Sequence, residues 1–142
     1  MKYSKQGHCI FYTRYHIVLA TRYRRKIFNE GIGRYLKKTL RSVERKYPEI
    51  KIIEANTDID HLHVLLEIPP KMSVSEVVRL IKSNTGTALR KRYSFLKYVY
   101  YGRGGIWSIG YFVSTSGISE EVIRNYVEHQ GQEDRGQAQL EF

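Results

Sequence analysis

The stretch Asp60-His61-Leu62-His63-Val64-Leu65-Leu66 constrains the fold more than any other part of the chain. Side chains alternate across a β-strand, so Leu62, Val64, Leu66 and Ile68 share one face while His61 and His63 share the other. On a helix the two histidines would diverge by about 200°, and the apolar set would scatter with them. Residues 60 to 68 are therefore predicted as a strand with one face in a core and two imidazoles leaving it together. Pro69 and Pro70 cannot donate to a ladder and stop it.

The rest of the chain supplies partners for that strand. Residues 9 to 20 alternate as one long strand, with Phe11, Tyr15, Ile17 and Leu19 opposite Arg14, His16 and Val18. Ile32, Tyr35, Leu36, Leu40, Val43 and Tyr47 recur at helical spacing, and Pro48 closes that helix. Residues 51 to 57 form a second strand, joined to the histidine strand by a tight turn at Asp58. Ser73-Val74-Ser75-Glu76 is a capping box, opening a helix whose apolar stripe runs from Val74 to Leu89. A glycine-rich turn at Gly102, Gly104 and Gly105 precedes a last strand over residues 106 to 113. The order is βαββαβ. It predicts an α+β, ferredoxin-like antiparallel sheet with two helices on one face, leaving the histidine-bearing face for a partner, a further helix or a ligand.

A further helix follows, predicted over residues 119 to 130 with a polar tail at 131 to 142, all within a single domain of 142 residues. Ser119 is a good N-cap, Glu120 and Glu121 suit the positive end of the dipole, and Ile118 with Ile123 has staple spacing. Tyr126 and Gln130 stand one turn apart on one face. On the helix alone, packing beside Val122, Ile123 and Val127 is the simpler reading of Tyr126. Gly117 and Gly131 bracket the segment as hinges or as an ordinary turn and C-cap.

Charge narrows the partners. Lys and Arg number 24 against 14 Asp and Glu, a net charge of +10 that calls for an anionic partner: nucleic acid, an acidic protein or a membrane surface. Twelve tyrosines among these cations offer stacking surfaces for bases, though many belong in the core. The lone Cys9 excludes an internal disulfide and fits a reducing compartment. No apolar run reaches membrane-spanning length, so a cytoplasmic protein is expected.

His61-Leu62-His63 resembles the histidine–hydrophobe–histidine motif of the HUH enzymes, and Tyr126-x-x-x-Gln130 resembles the catalytic helix of single-tyrosine transposases of the IS200/IS605 type. Tyr15-His16-Ile17-Val18, the run Arg22-Tyr23-Arg24-Arg25-Lys26, Glu67 through Val74, and Trp107 through Thr115 are similar to that family at similar spacing, so the likeness spans roughly residues 9 to 130. The chain departs from it in the short Ser116-Gly117-Ile118 approach to the helix and in Ser83-Asn84-Thr85-Gly86.

The resemblance implies a prokaryotic enzyme that cuts and rejoins single-stranded DNA with hairpin ends, using Tyr126 as nucleophile. It also implies a divalent metal, Mg²⁺ or Mn²⁺, held by His61, His63 and Gln130. Two imidazoles and an amide leave coordination positions open, whereas a structural zinc site would want a closed set, usually with cysteines. The family further implies a homodimer in which one copy's tyrosine helix completes the other's histidine pair. Arg22, Arg24, Arg25 and Lys26, with Lys82 and Arg90, are candidate phosphate contacts or else a solvated surface. His16 reads as structural, and His129 as not aimed together with both Tyr126 and Gln130. Trp107 and Tyr111 read as stacking or core residues. Three readings compete: a replication initiator or relaxase of the same chemistry, a noncatalytic RNA- or DNA-binding module of the same fold, and a metal-dependent phosphodiesterase using water.

Overall fold

The computed structural model describes residues 2–100 and 105–140, the last four by backbone alone. A short hairpin opens the chain, β1 (Ser4–Gln6) against β2 (Cys9–Phe11). Then come β3 (Arg14–Ala20), helix α1 (Glu30–Lys46), β4 (Lys51–Asp58), β5 (His61–Glu67) and helix α2 (Val74–Arg92). A one-turn helix α3 (Leu96–Val99), strand β6 (Phe112–Ser114) and helix α4 (Glu120–Leu140) complete it. The four main strands are antiparallel in the order β4-β5-β3-β6, the ferredoxin-like arrangement expected from the βαββαβ pattern.

Alternation decides what each face does. Ile17 and Leu19 of β3, Ile52 of β4 and Leu62, Val64 and Leu66 of β5 pack beneath α1 and α2 in one core. Leu36, Leu40 and Val43 come from α1, and Val77, Ile81 and Leu89 from α2, all essentially inaccessible to water. Burying each such side chain stabilises the fold by about 1.5–3 kcal/mol. Both helices start as their sequences direct, with Asn29 Oδ1 accepting from Ile32 N–H and Ser73 Oγ from Glu76 N–H.

Three expectations about boundaries are corrected. Residues 9 to 20 are not one strand: β2 belongs to the N-terminal hairpin, and β3 begins at Arg14, opposite Glu67. The prolines end β5 there, so residues before Arg14 have no strand to pair with and take their own N-terminus instead. The last strand is shorter than 106 to 113. Trp107 makes a single bridge to Thr21, after which Gly110 at φ +98° turns the chain out of extended geometry until Phe112. Gly102 and Gly104 of the turn expected before it lie outside the described residues. Finally, α4 does not stop at Gln130 but runs through Gly131 to Leu140, so that most of the expected polar tail is helix.

That longer α4 answers the question of the open face. Ile123 and Val127 pack on Val18 and Ala20 of β3, forming a second, smaller core with Phe112, Ile118 and Tyr126 at its margin. Ser119 caps the helix, its Oγ accepting from Val122 N–H at 3.2 Å. Among the described residues, no helix is long and apolar enough to cross a membrane.

Candidate active site

Strand β5 delivers His61 and His63, both half-buried, onto the face that α4 partly covers. The turn before them organises the first. Asp60 is buried, and its Oδ1 accepts from His61 Nδ1 at 2.9 Å while Oδ2 accepts from Arg24 Nε at 3.3 Å. A buried carboxylate is costly unless so partnered. Its hydrogen bond to His61 and the Arg24 guanidinium hold the Asp60 carboxyl below the usual carboxylate range, against the opposing effect of burial. With Nδ1 donating to Asp60, His61 is left with Nε2 as the free lone pair, the orientation that a carboxylate gives a metal-binding histidine.

His63 is arranged differently. Its Nε2 lies 3.1 Å from His16 Nδ1 on the neighbouring strand. Burial, and then the adjacent His16, push the His63 pKa below its ordinary value of 6.5, with Glu54 opposing. A neutral imidazole is the form that binds metal. The donor set thus fits a divalent ion in part: two imidazoles line a cleft of about 640 Å³ together with Asp58, Asp60, Glu120 and Glu128. Among the described residues, no three His, Cys, Asp or Glu side chains form a ready-made metal cluster. Further ligands have to come from elsewhere, such as the expected amide.

Tyr126 and Gln130 do not reach this cleft within the chain. At 100° per residue, Arg124 and Glu128 project from one flank of α4, and Tyr126 and Gln130 from a flank about 120° to 160° away. Arg124 and Glu128 line the histidine cleft. Tyr126 instead lays its ring against Phe112, 5.8 Å between centroids, with its hydroxyl buried and unpartnered. Burial, and secondarily the charge of Asp134, push its pKa up to about 12. Gln130 donates from Nε2 to the carbonyl of Ile109 and rests against Gly110. His129 is exposed near Glu133.

The basic residues sort by what they touch. Arg25 and Lys26 are exposed. Arg22, Lys82 and Arg90 line a groove of about 740 Å³ between α2 and residues 105–111. Lys82 is also a strut, its ammonium donating to the carbonyls of Ser108 and Gly110 at 2.8 Å each, and burial lowers its pKa. Arg24 is committed to Asp60. Trp107 belongs to the core, its ring tilted against Phe28 and its Nε1–H donating to Thr85 Oγ1 at 3.0 Å, while Tyr111 sits at the core's margin. Sequence reasoning passed over Asp60 as a partner of His61, although an acidic residue directly before the histidine is a signal. It also passed over Asp134, which sat in the presumed tail.

The profile of IS200-like transposases matches residues 9–130. The transposase of insertion sequence IS200 from Salmonella typhimurium is 36% identical over 138 residues, covering 94% of this chain and 87% of that protein, and the one from Salmonella typhi matches equally. The ISDra2 transposase TnpA of Deinococcus radiodurans is 25% identical over 124 residues, covering 85% of this chain and 86% of its own. Among solved structures, a candidate transposase of Deinococcus radiodurans superposes with a TM-score of 0.77 at 24% identity, over 89% of this chain and 97% of that one. A REP-associated tyrosine transposase bound to a REP hairpin superposes at 0.54 and 18% identity, over 87% and 67%. These two are likenesses of fold. With the family profile spanning nearly all of the ordered core, and a curated relative above a third identical along almost the whole length, the chain belongs to the family of IS200-like transposases.

Proposed function

We propose that this protein cleaves and rejoins single-stranded DNA at the ends of an insertion sequence through a covalent 5′-phosphotyrosine on Tyr126. The observation that carries the reading is the pair His61–His63 presented on one sheet face beneath the helix that bears Tyr126. The phenol loses its proton as its oxygen bonds to the scissile phosphorus, the bond from phosphorus to the 3′ oxygen breaks, and that oxygen takes up a proton, so the released strand leaves as a 3′-OH. Rejoining is the reverse, with an incoming 3′-OH displacing the tyrosine, so the bond energy is conserved without a nucleotide cofactor.

His61 and His63, with the Gln130 amide, would hold Mg²⁺ or Mn²⁺. When bound, the ion would polarise the scissile phosphate and offset the charge that gathers on it. Asp60 keeps the His61 lone pair directed outward, and burial favours the neutral form of His63. The functional unit in this reading is a homodimer in which Tyr126 and Gln130 of one copy complete the histidine pair of the other. It draws support from the opposite flanks that these two groups occupy relative to the cleft within one chain. Hairpin-ended DNA as substrate fits the net charge of +10, the exposed Arg25 and Lys26, and the hairpin bound by the REP-associated relative in fold.

Labelled single-stranded element ends incubated with protein and Mg²⁺ or Mn²⁺ are expected to give a band that survives denaturation. Tyr126→Phe should abolish that band with binding retained. A water-using phosphodiesterase would cut without the adduct, and a noncatalytic module would bind without cutting. An adduct undiminished in Tyr126→Phe would remove the tyrosine from the mechanism.

A further inference from the structure

Tyr23 and Arg24 hold left-handed backbone conformations, φ 61° and 53°, in succession and with no glycine between them. Residues with a Cβ keep such angles where their surroundings over-determine them, and clustering of this kind marks functional positions. Local bonds from Thr21 and Arg22 hold part of this turn, and α4 supplies further contacts. Asp134, 3% exposed, accepts from Tyr23 N–H at 2.9 Å on one oxygen and from Ser108 Oγ at 2.8 Å on the other. One turn earlier, Gly131 leaves a notch that the stem of Arg24 fills: a Cβ there would stand 2.6 Å from both Cγ and Cδ of Arg24. The easy relief of that clash would be to move the arginine side chain out.

The far end of that side chain is the donor to Asp60, and Asp60 is the acceptor that orients His61. We infer that Arg24 is a positioning residue for the histidine pair, wired to the seat of α4: Asp134 and Gly131 hold the strained turn, the turn aims Arg24, and Arg24 fixes Asp60, which fixes His61. Arg24, expected from sequence to contact DNA, is thereby turned inward. Without it, Asp60 would be left buried with a single charged or polar side-chain partner and free to rotate away from the ring. The seat of the tyrosine helix and the geometry of the histidine pair then become one cooperative unit. The last link rests on the reading of His61 as a metal ligand.

Two measurements on the full chain separate the proposal from that reading. In metal-free, ¹⁵N-labelled protein, imidazole nitrogen–proton correlations report which His61 nitrogen carries the proton. Wild type is expected to show one tautomer, protonated at Nδ1. Arg24→Ala and Gly131→Ala should each replace it with an averaged signal and lower Mn²⁺ affinity, followed by titration, about ten- to a hundredfold. The double variant should be no worse than Arg24→Ala, because both changes break the same link. Arg24→Lys should recover part of the signal and of the affinity. Should Gly131→Ala not fold, Arg24→Gln repeats the test without touching the helix. An unchanged His61 tautomer in folded Arg24→Ala, or losses that add in the double variant, would overturn the relay. Wild type that binds no Mn²⁺ while its His61 signal still answers to Arg24 would keep the relay and discard the metal reading.

Discussion

Tyr126 carries a conflict between stability and chemistry. Its hydroxyl is buried against Phe112 with no hydrogen-bond partner, a defect that costs on the order of 1–3 kcal/mol. Tyr126→Phe should therefore leave stability unchanged or raise it by about 1 kcal/mol in urea unfolding, while cleavage disappears. A large loss of stability would mean that the hydroxyl has a partner in solution. His63 makes a second residue-scale prediction. Its folded pKa lies below the ordinary 6.5, so the unfolded chain takes up the proton more readily. The contribution is fully present above pH 6.5 and is lost as pH falls through the lowered folded value. Unfolding free energy measured from pH 8 down to pH 5 should decline in wild type and decline less in His63→Asn.

Among elements, the segment between Trp107 and Phe112 matters most for the tyrosine helix. It leaves strand geometry at Gly110, and three successive carbonyls are taken up by side chains: Ser108 and Gly110 by Lys82, Ile109 by Gln130. Lys82 thus braces the perch on which α4 rests its Gln130. Lys82→Met keeps the length of the side chain and removes the donors, and is expected to cost about 1–3 kcal/mol by leaving a buried carbonyl unpaired. Amide exchange should quicken along the second half of α4 in the same variant. Unaltered protection there would show that the brace and the helix are independent.

For the whole molecule, the question is how two half-sites on opposite flanks of one helix become one. Mixing His61→Ala/His63→Ala protein with Tyr126→Phe protein, each inactive alone, is expected to restore cleavage, because one site of the heterodimer then has both intact halves. Verified heterodimers without cleavage would place the site within one chain, and full activity of a verified monomer would remove the dimer requirement.

Alternation along residues 60 to 68 determined β5, the face of each histidine and the core beneath α1 and α2, because side-chain direction in a strand is a local property of the backbone. Capping residues likewise determined where α2 and α4 begin, since Ser73 and Ser119 satisfy amides within their own first turns. The spacing of His61 with His63 along one strand face, and of Tyr126 with Gln130 one helical turn apart, was equally legible as pattern. Tertiary structure decided the rest. Where β3 begins depended on where β5 runs out, and the length of α4 depended on a seat that Gly131 and Asp134 find on the turn at Arg22–Arg24, more than a hundred residues away. Local pattern made Gly131 a helix end and Arg24 a surface cation. Packing made the glycine a notch and turned the arginine toward Asp60, because the clash, the buried carboxylate and the left-handed turn exist only once distant segments meet.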